Sequence, residues 1–218
     1  QGGRGVLLGG VPGVAKGKVV ILGGGVVGTN AAAMALGLGA DVTIIEKSTD
    51  RMEELVARFG TGVKTLYSTQ GTIEDECAEA DLVIGGVLIP GAAAPKLITK
   101  AMLKDWKPGA VLVDVAIDQG GCAETSRATT HADPTYVVDG VIHYCVANMP
   151  GGVARTSTFA LNNATLPFGL AIANKGWKQA LKDDGHLKNG LNVAFGQVTY
   201  KAVADDLDYK YVAADTLL

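Results

Sequence analysis

Short runs of branched apolar residues alternate along this chain with longer stretches whose apolar positions recur at helical spacing. The first run, Lys18-Val19-Val20-Ile21-Leu22, stops at Gly23-Gly24-Gly25 and predicts a parallel strand buried on both faces. Residues 26–38, rich in Ala, Leu and Met, predict a helix stopped by Gly39, and Val42-Thr43-Ile44-Ile45 predicts a second strand. The unit repeats with a helix over 50–59, carrying Met52, Leu55, Val56 and Phe59 on one face, and a strand over 63–67. A short acidic helix over 72–80 and a strand over 82–87 follow. A helix over 98–106 is expected to end at Lys107-Pro108-Gly109, and 110–117 reads as an apolar strand interrupted only by Asp114. Strands alternating with helices in this way imply an α/β fold, a parallel sheet covered on both faces.

The pattern changes after Asp118. Residues 119–134 form a polar loop rich in Thr, Ser, Gly and Asp, and strands are expected over 135–138 and 141–146. The cluster Asn148-Met149-Pro150-Gly151-Gly152 marks a candidate boundary, dividing residues 1–152 from 153–218. Residues 156–175 have helical composition with Pro167 inside, which predicts a kink or a restart there. One or two further helices and a loose tail complete the chain.

Composition narrows the function classes. Of 218 residues, 48% are apolar and 19% charged, so burial can outweigh chain entropy and wholesale disorder is excluded. With 19 Lys and Arg against 22 Asp and Glu, the chain lacks the positive footprint of a nucleic-acid binder. No uncharged apolar run is long enough to span a membrane and no export signal is evident, so a cytoplasmic protein is expected. Cys77, Cys122 and Cys145 are odd in number and show no metal-ligand spacing; they read as packing residues in a reducing compartment, with no metal site. The opening Gln1-Gly2-Gly3-Arg4 lacks an initiator methionine, from which a piece or a processed product of a longer protein is expected.

The sharpest chemical signal is Gly23-x-Gly25-x-x-Gly28 between the first strand and the first helix. The first glycine permits a tight turn, the second lets backbone approach a diphosphate, and the third lets the helix pack closely on the sheet. Unpaired amides and the helix dipole then face the phosphates. Glu46 ends the second strand about twenty residues on, where a carboxylate accepts the ribose hydroxyls and repels the extra phosphate of NADP. The expected cofactor is therefore NAD. Lys47 and Arg51 stand close enough in sequence to weaken that selectivity by turning toward a 2′-phosphate, but both read as solvated surface charges.

Four strings extend the picture: 5–13 (GVLLGGVPG), 85–91 (GGVLIPG), 113–122 (VDVAIDQGGC) and 144–150 (YCVANMP). Through them the chain resembles, from end to end, the bacterial L-alanine dehydrogenases and their relative, the nucleotide-binding subunit of proton-translocating transhydrogenase. The resemblance implies a Rossmann-type doubly wound sheet followed by a helical return segment of a substrate domain, in an assembly that is a homohexamer. It implies Val26 and Val27 at the phosphate turn, Glu46 on the adenosine ribose with Arg51 near it, and Ser68 after the third strand. Val87, Leu88, Leu97 and Val115 would line the adenine and nicotinamide faces, with Arg127 and Val146, Ala147, Asn148 and Met149 closing the site. Asp118, whose family counterpart lies beside the nicotinamide, is the expected catalytic residue and also a cofactor contact. The family usually has Asp where this chain has Glu46, one methylene shorter.

The implied reaction is reversible oxidative deamination of L-alanine to pyruvate and ammonia. In the family the cation that holds the substrate carboxylate, and a catalytic histidine, come from an amino-terminal segment that these residues do not include. His131, His143 and His186 do not match that position and read as satisfied or solvated histidines. Two expectations follow. In the first, the chain is the NAD-binding portion of an alanine dehydrogenase, inactive alone. In the second, it is a stand-alone NAD(H)-binding module related to the transhydrogenase subunit.

Overall fold

A computed structural model describes residues 2–87 and 94–218. They divide into two compact units, one of residues up to 149 and one running from 150 to 218. In the first unit, β1 (Lys18–Leu22), β2 (Asp41–Glu46), β3 (Val63–Tyr67), β4 (Leu82–Gly85), β5 (Val111–Asp114), β6 (Thr135–Val138) and β7 (Val141–Tyr144) form one sheet in the order β3-β2-β1-β4-β5-β7-β6. All neighbouring pairs are parallel except β6 with β7. The order reverses direction at β1, the switch point at which open α/β sheets bind ligands beyond the carboxyl ends of their strands.

Period-two alternation in β1 builds both layers of the core. Val19 and Ile21 pack with Ala32 and Ala35 of α1 (Val26–Gly37) and Leu55 of α2 (Thr49–Phe59). Val20 and Leu22 face the other way, onto Ile73 and Cys77 of α3 (Gln70–Ala78) and onto Leu103 and Trp106. Burial pushes the Cys77 thiol up to about 12. It also raises Cys122, where the Asp114 carboxylate adds to the effect, and Cys145. All three cysteines are free and buried.

The strands expected over 82–87 and 141–146 end early, at Gly85 and Tyr144, and two segments depart further from expectation. No α-helix forms over 98–106; only a 3-10 turn, Ala101–Asp105, is present. Main-chain pairing explains this, because Leu97 and Ile98 both donate to the Cys122 carbonyl and Ile98 bridges to Ala123, which holds the segment extended. The strand expected over 110–117 ends at Asp114, after which Val115–Gln119 turns as a 3-10 helix. Its cause is the Asp114 side chain, which accepts from the Ala116 amide and tightens the chain immediately.

The second unit contains α4 (Ala154–Lys175), α5 (Trp177–Asp183), α6 (Gly185–Asn189), the hairpin strands β8 (Val193–Ala194) and β9 (Gln197–Val198), and α7 (Lys201–Asp206). Helix α4 runs through Pro167 without restarting. None of its residues is buried. At about 100° per residue, Phe159, Leu166 and Leu170 fall along one side and Leu161, Phe168 and Ile172 along the other, all exposed. No helix among the described residues is long and apolar enough to cross a membrane.

Candidate functional site

Gly23, Gly24 and Gly28, in and behind the turn after β1, each have a measurable reason to be glycine. Gly23 adopts φ +92, a conformation that side chains disfavour. A Cβ on Gly28 would lie 1.8 Å from the Gly23 carbonyl oxygen, so only glycine lets α1 approach the turn. Around Gly25 nothing lies within 4 Å of the Cβ position, which leaves its backbone open to a ligand. Gly25 is also the N-cap of α1 and supplies no side-chain cap, nor is there an acidic residue in the first turn, so the leading amides are left for an anion. Gly24 was not singled out by the motif, yet a Cβ there would meet Leu55 at 2.7 Å and Glu46 at 3.2 Å.

These glycines open onto a cleft of ≈ 440 Å³. Gly23, Gly25, Val26 and Val27 form its floor at the turn, Glu46 ends β2, Ser68 follows β3, and Val87 and Leu97 supply apolar wall. Leu22, Ile45, Lys47, Gly86 and Pro95 complete the lining among the described residues. Glu46 is fixed by main chain: Oε2 accepts from the Gly24 amide at 2.6 Å, and Oε1 from the Lys47 and Ser48 amides at 2.7 and 3.0 Å. Burial acts to raise its carboxyl, but these amides and the nearby Arg51 outweigh it and hold the group below the usual carboxylate range. The carboxylate is therefore ionised and aimed before any ligand arrives.

The remaining expected residues are placed differently. Gly28 packs behind the turn, and Arg51 is directed at Gly24 and Thr29 and is not part of the lining. Val115 and Asp118 lie on the 3-10 turn after β5, with Asp118 exposed. Arg127 is exposed and its guanidinium lies 3.9 Å from the Tyr136 ring centroid. Val146 is buried, Ala147 and Asn148 are exposed, and Met149 follows them past the end of β7. None of these lines the cleft among the described residues. Leu88 lies outside the described residues.

Asp118 is carried by a loop clamped from two sides. From within, the fully buried Asp114 accepts from the amides of Ala116 and Cys122 at 3.1 and 2.8 Å and from Ser126 Oγ at 2.5 Å. From without, Lys96 Nζ donates to the carbonyls of Gly120, Gly121 and Ala123 at 2.5, 2.8 and 3.2 Å. Sequence pattern did not single out Lys96, since a lysine after Pro95 has no periodicity to mark it. His143 is fully buried; its Nδ1 donates to the Val141 carbonyl, its Nε2 accepts from Thr125, and its ring stacks on Tyr136. Burial holds it below the usual histidine value, as a neutral packing group.

Comparison with known proteins gives this geometry a family. The family described as alanine dehydrogenase/PNT, C-terminal domain, matches residues 1–201. The chain belongs to that family. It is 64% identical over 218 residues to the alanine dehydrogenase of Halomonas elongata and 61% identical over 219 to that of Bacillus subtilis. Both matches cover 100% of the chain but only 59% and 58% of those proteins, so the chain spans less than two thirds of the relatives' length. A solved L-alanine dehydrogenase superposes with TM-score 0.86 at 54% identity, covering 95% of this chain and 57% of that one. A transhydrogenase from Sinorhizobium meliloti superposes with TM-score 0.59 at 32% identity, covering 67% of this chain and 41% of that one. Members of the family share the Rossmann-type sheet seen here.

Proposed function

We propose that this chain is the NAD(H)-binding part of an L-alanine dehydrogenase, which interconverts L-alanine with pyruvate and ammonia in the cytoplasm as a homohexamer. One observation carries the reading: an ionised carboxylate and an uncapped glycine turn converge on one cleft at the switch point of a sheet whose whole length matches alanine dehydrogenases. The residues fit the dinucleotide, because the space beside Gly25 is open and the walls contributed by Val87 and Leu97 are apolar. Bound NAD supplies the hydride acceptor.

In this reading the Val26 and Val27 amides hold the diphosphate, with Gly23, Gly25 and Gly28 giving it room. Glu46 accepts the adenosine ribose hydroxyls, and Ser68 borders that end. Val87, Leu97 and Val115, with Leu88, flank the rings, while Arg127 and residues 146–149 close the site. Asp118 orients the second ribose, offsets the positive charge that develops as the substrate Cα–N bond gains double-bond character, and relays a proton. Residues 1–152 bind the coenzyme and 153–218 return to the substrate domain.

A stand-alone module related to the transhydrogenase subunit has less support, since the transhydrogenase superposition covers 67% of the chain against 95% for the alanine dehydrogenase. The reading is tested by titrating the purified chain with NADH fluorescence and then assaying NADH formation with saturating alanine at alkaline pH. Saturable NADH binding without alanine oxidation is expected, because the family's substrate cation and histidine belong to the part these residues do not span. A chain that ignores NADH, or that turns over alanine at an ordinary dehydrogenase rate, overturns it.

A further inference from the structure

Arg51 stands in the first turn of α2 with two of its three nitrogens directed inward. Nε donates to the Gly24 carbonyl at 2.7 Å, Nη2 donates to Thr29 Oγ1 at 2.7 Å, and Nη1 pairs with Glu54. Thr29 is buried, and its hydroxyl donates to the same Gly24 carbonyl at 3.0 Å. The Gly24 amide donates to Glu46. Gly24 is thus gripped on its carbonyl by Arg51 and Thr29 and on its amide by the carboxylate read as the ribose acceptor. The circuit ties the end of β2, the glycine turn, α1 and α2 into one unit, and the rigid fork of a guanidinium suits a junction with acceptors in several directions.

We propose that Arg51 is a positioning residue of this site: through Gly24 and Thr29 it sets the phosphate turn in register with Glu46, with Glu54 steadying its outer nitrogen, and it does not itself take a coenzyme phosphate. This rests on the reading of the cleft as a dinucleotide site. An arginine next to the ribose-binding acid is ordinarily the group that accommodates a 2′-phosphate. Here its nitrogens already have acceptors, so selection against NADP falls to Glu46, and Arg51 serves both coenzymes alike.

The test compares wild type, Arg51→Met, Arg51→Lys and Glu54→Gln by NADH fluorescence titration, with NADPH affinity read by competition against bound NADH and folding followed by circular dichroism. Arg51→Met is expected to weaken NADH by roughly tenfold, the loss of a charged hydrogen bond, and NADPH by the same factor, so their ratio stays at the wild-type value. Arg51→Lys, with one donor centre able to serve Gly24, recovers part of the loss. Glu54→Gln shifts both coenzymes equally by about twofold or less, as an exposed ion pair should. A selective loss of NADPH in Arg51→Met makes Arg51 a direct phosphate ligand and overturns the proposal, as does unchanged NADH affinity. Should Arg51→Met unfold, the ratio in Arg51→Lys and Glu54→Gln decides the matter in the same way. Failure of the underlying reading has its own signature, a wild-type chain that titrates with neither coenzyme, and it removes the proposal with it.

Discussion

Glu46 couples acidity to ligand grip. Its three amide donors favour the ionised form, so the folded chain binds a proton there less tightly than the unfolded chain, whose ordinary value is 4.5. The stability this residue contributes is complete above that value and is lost as the pH falls through the lower folded value. Unfolding midpoints measured against pH should therefore drop more steeply below 4.5 for wild type than for Glu46→Ala, and the two curves should converge in acid. At neutral pH, Glu46→Ala should cost about 1–3 kcal/mol of NADH affinity, the loss of a charged hydrogen-bonding partner, measured by fluorescence titration. Unaltered binding would show the carboxylate pointing away from the sugar. Its place at the end of β2, facing the glycine turn, was legible in the sequence from position and charge alone. The Gly24 amide that helps to aim it was not, since it lies on a separate connection that only the folded chain brings alongside.

Among the elements, the β1–α1 junction tolerates the least change. With the Gly23 carbonyl oxygen 1.8 Å from the site of a Cβ on Gly28, Gly28→Ala drives α1 off the sheet. Overpacking of this kind costs about 1–3 kcal/mol or more, so urea unfolding should show a lowered midpoint together with lost NADH binding. An unchanged midpoint would mean that the helix has slack. The units β1–α1–β2 and α2–β3 were readable because local pattern and tertiary role agree in them: Val19 through Leu22 are buried on both faces, and Leu55 lies inward on its helix. Residues 98–106 misled because their apolar spacing suits a helix while Ile98 is claimed by main-chain pairing to the 122–123 segment. Asp114 likewise reads as an interruption in a strand, whereas its buried carboxylate ends the strand and organises the loop that follows.

At the scale of the whole molecule, the glycine turn and the acid at the end of β2 meet in one cavity at the reversal of strand order, as the sequence pattern implied, while its apolar walls, Val87 and Leu97, were pointed to only by the family resemblance. Lys96 escaped notice because its job is to collect carbonyls from a loop remote in sequence, which no spacing rule encodes. Helix α4 has a practical outcome for anyone handling the protein. A rod greasy along both flanks, with Phe159 and Leu161 more than half uncovered, favours clumping in concentrated solution. Ammonium sulfate should precipitate the purified chain at a lower concentration than a Leu161→Lys, Leu166→Lys double variant, with light scattering marking the onset. Equal onset for both would mean that those flanks are already sheltered from water.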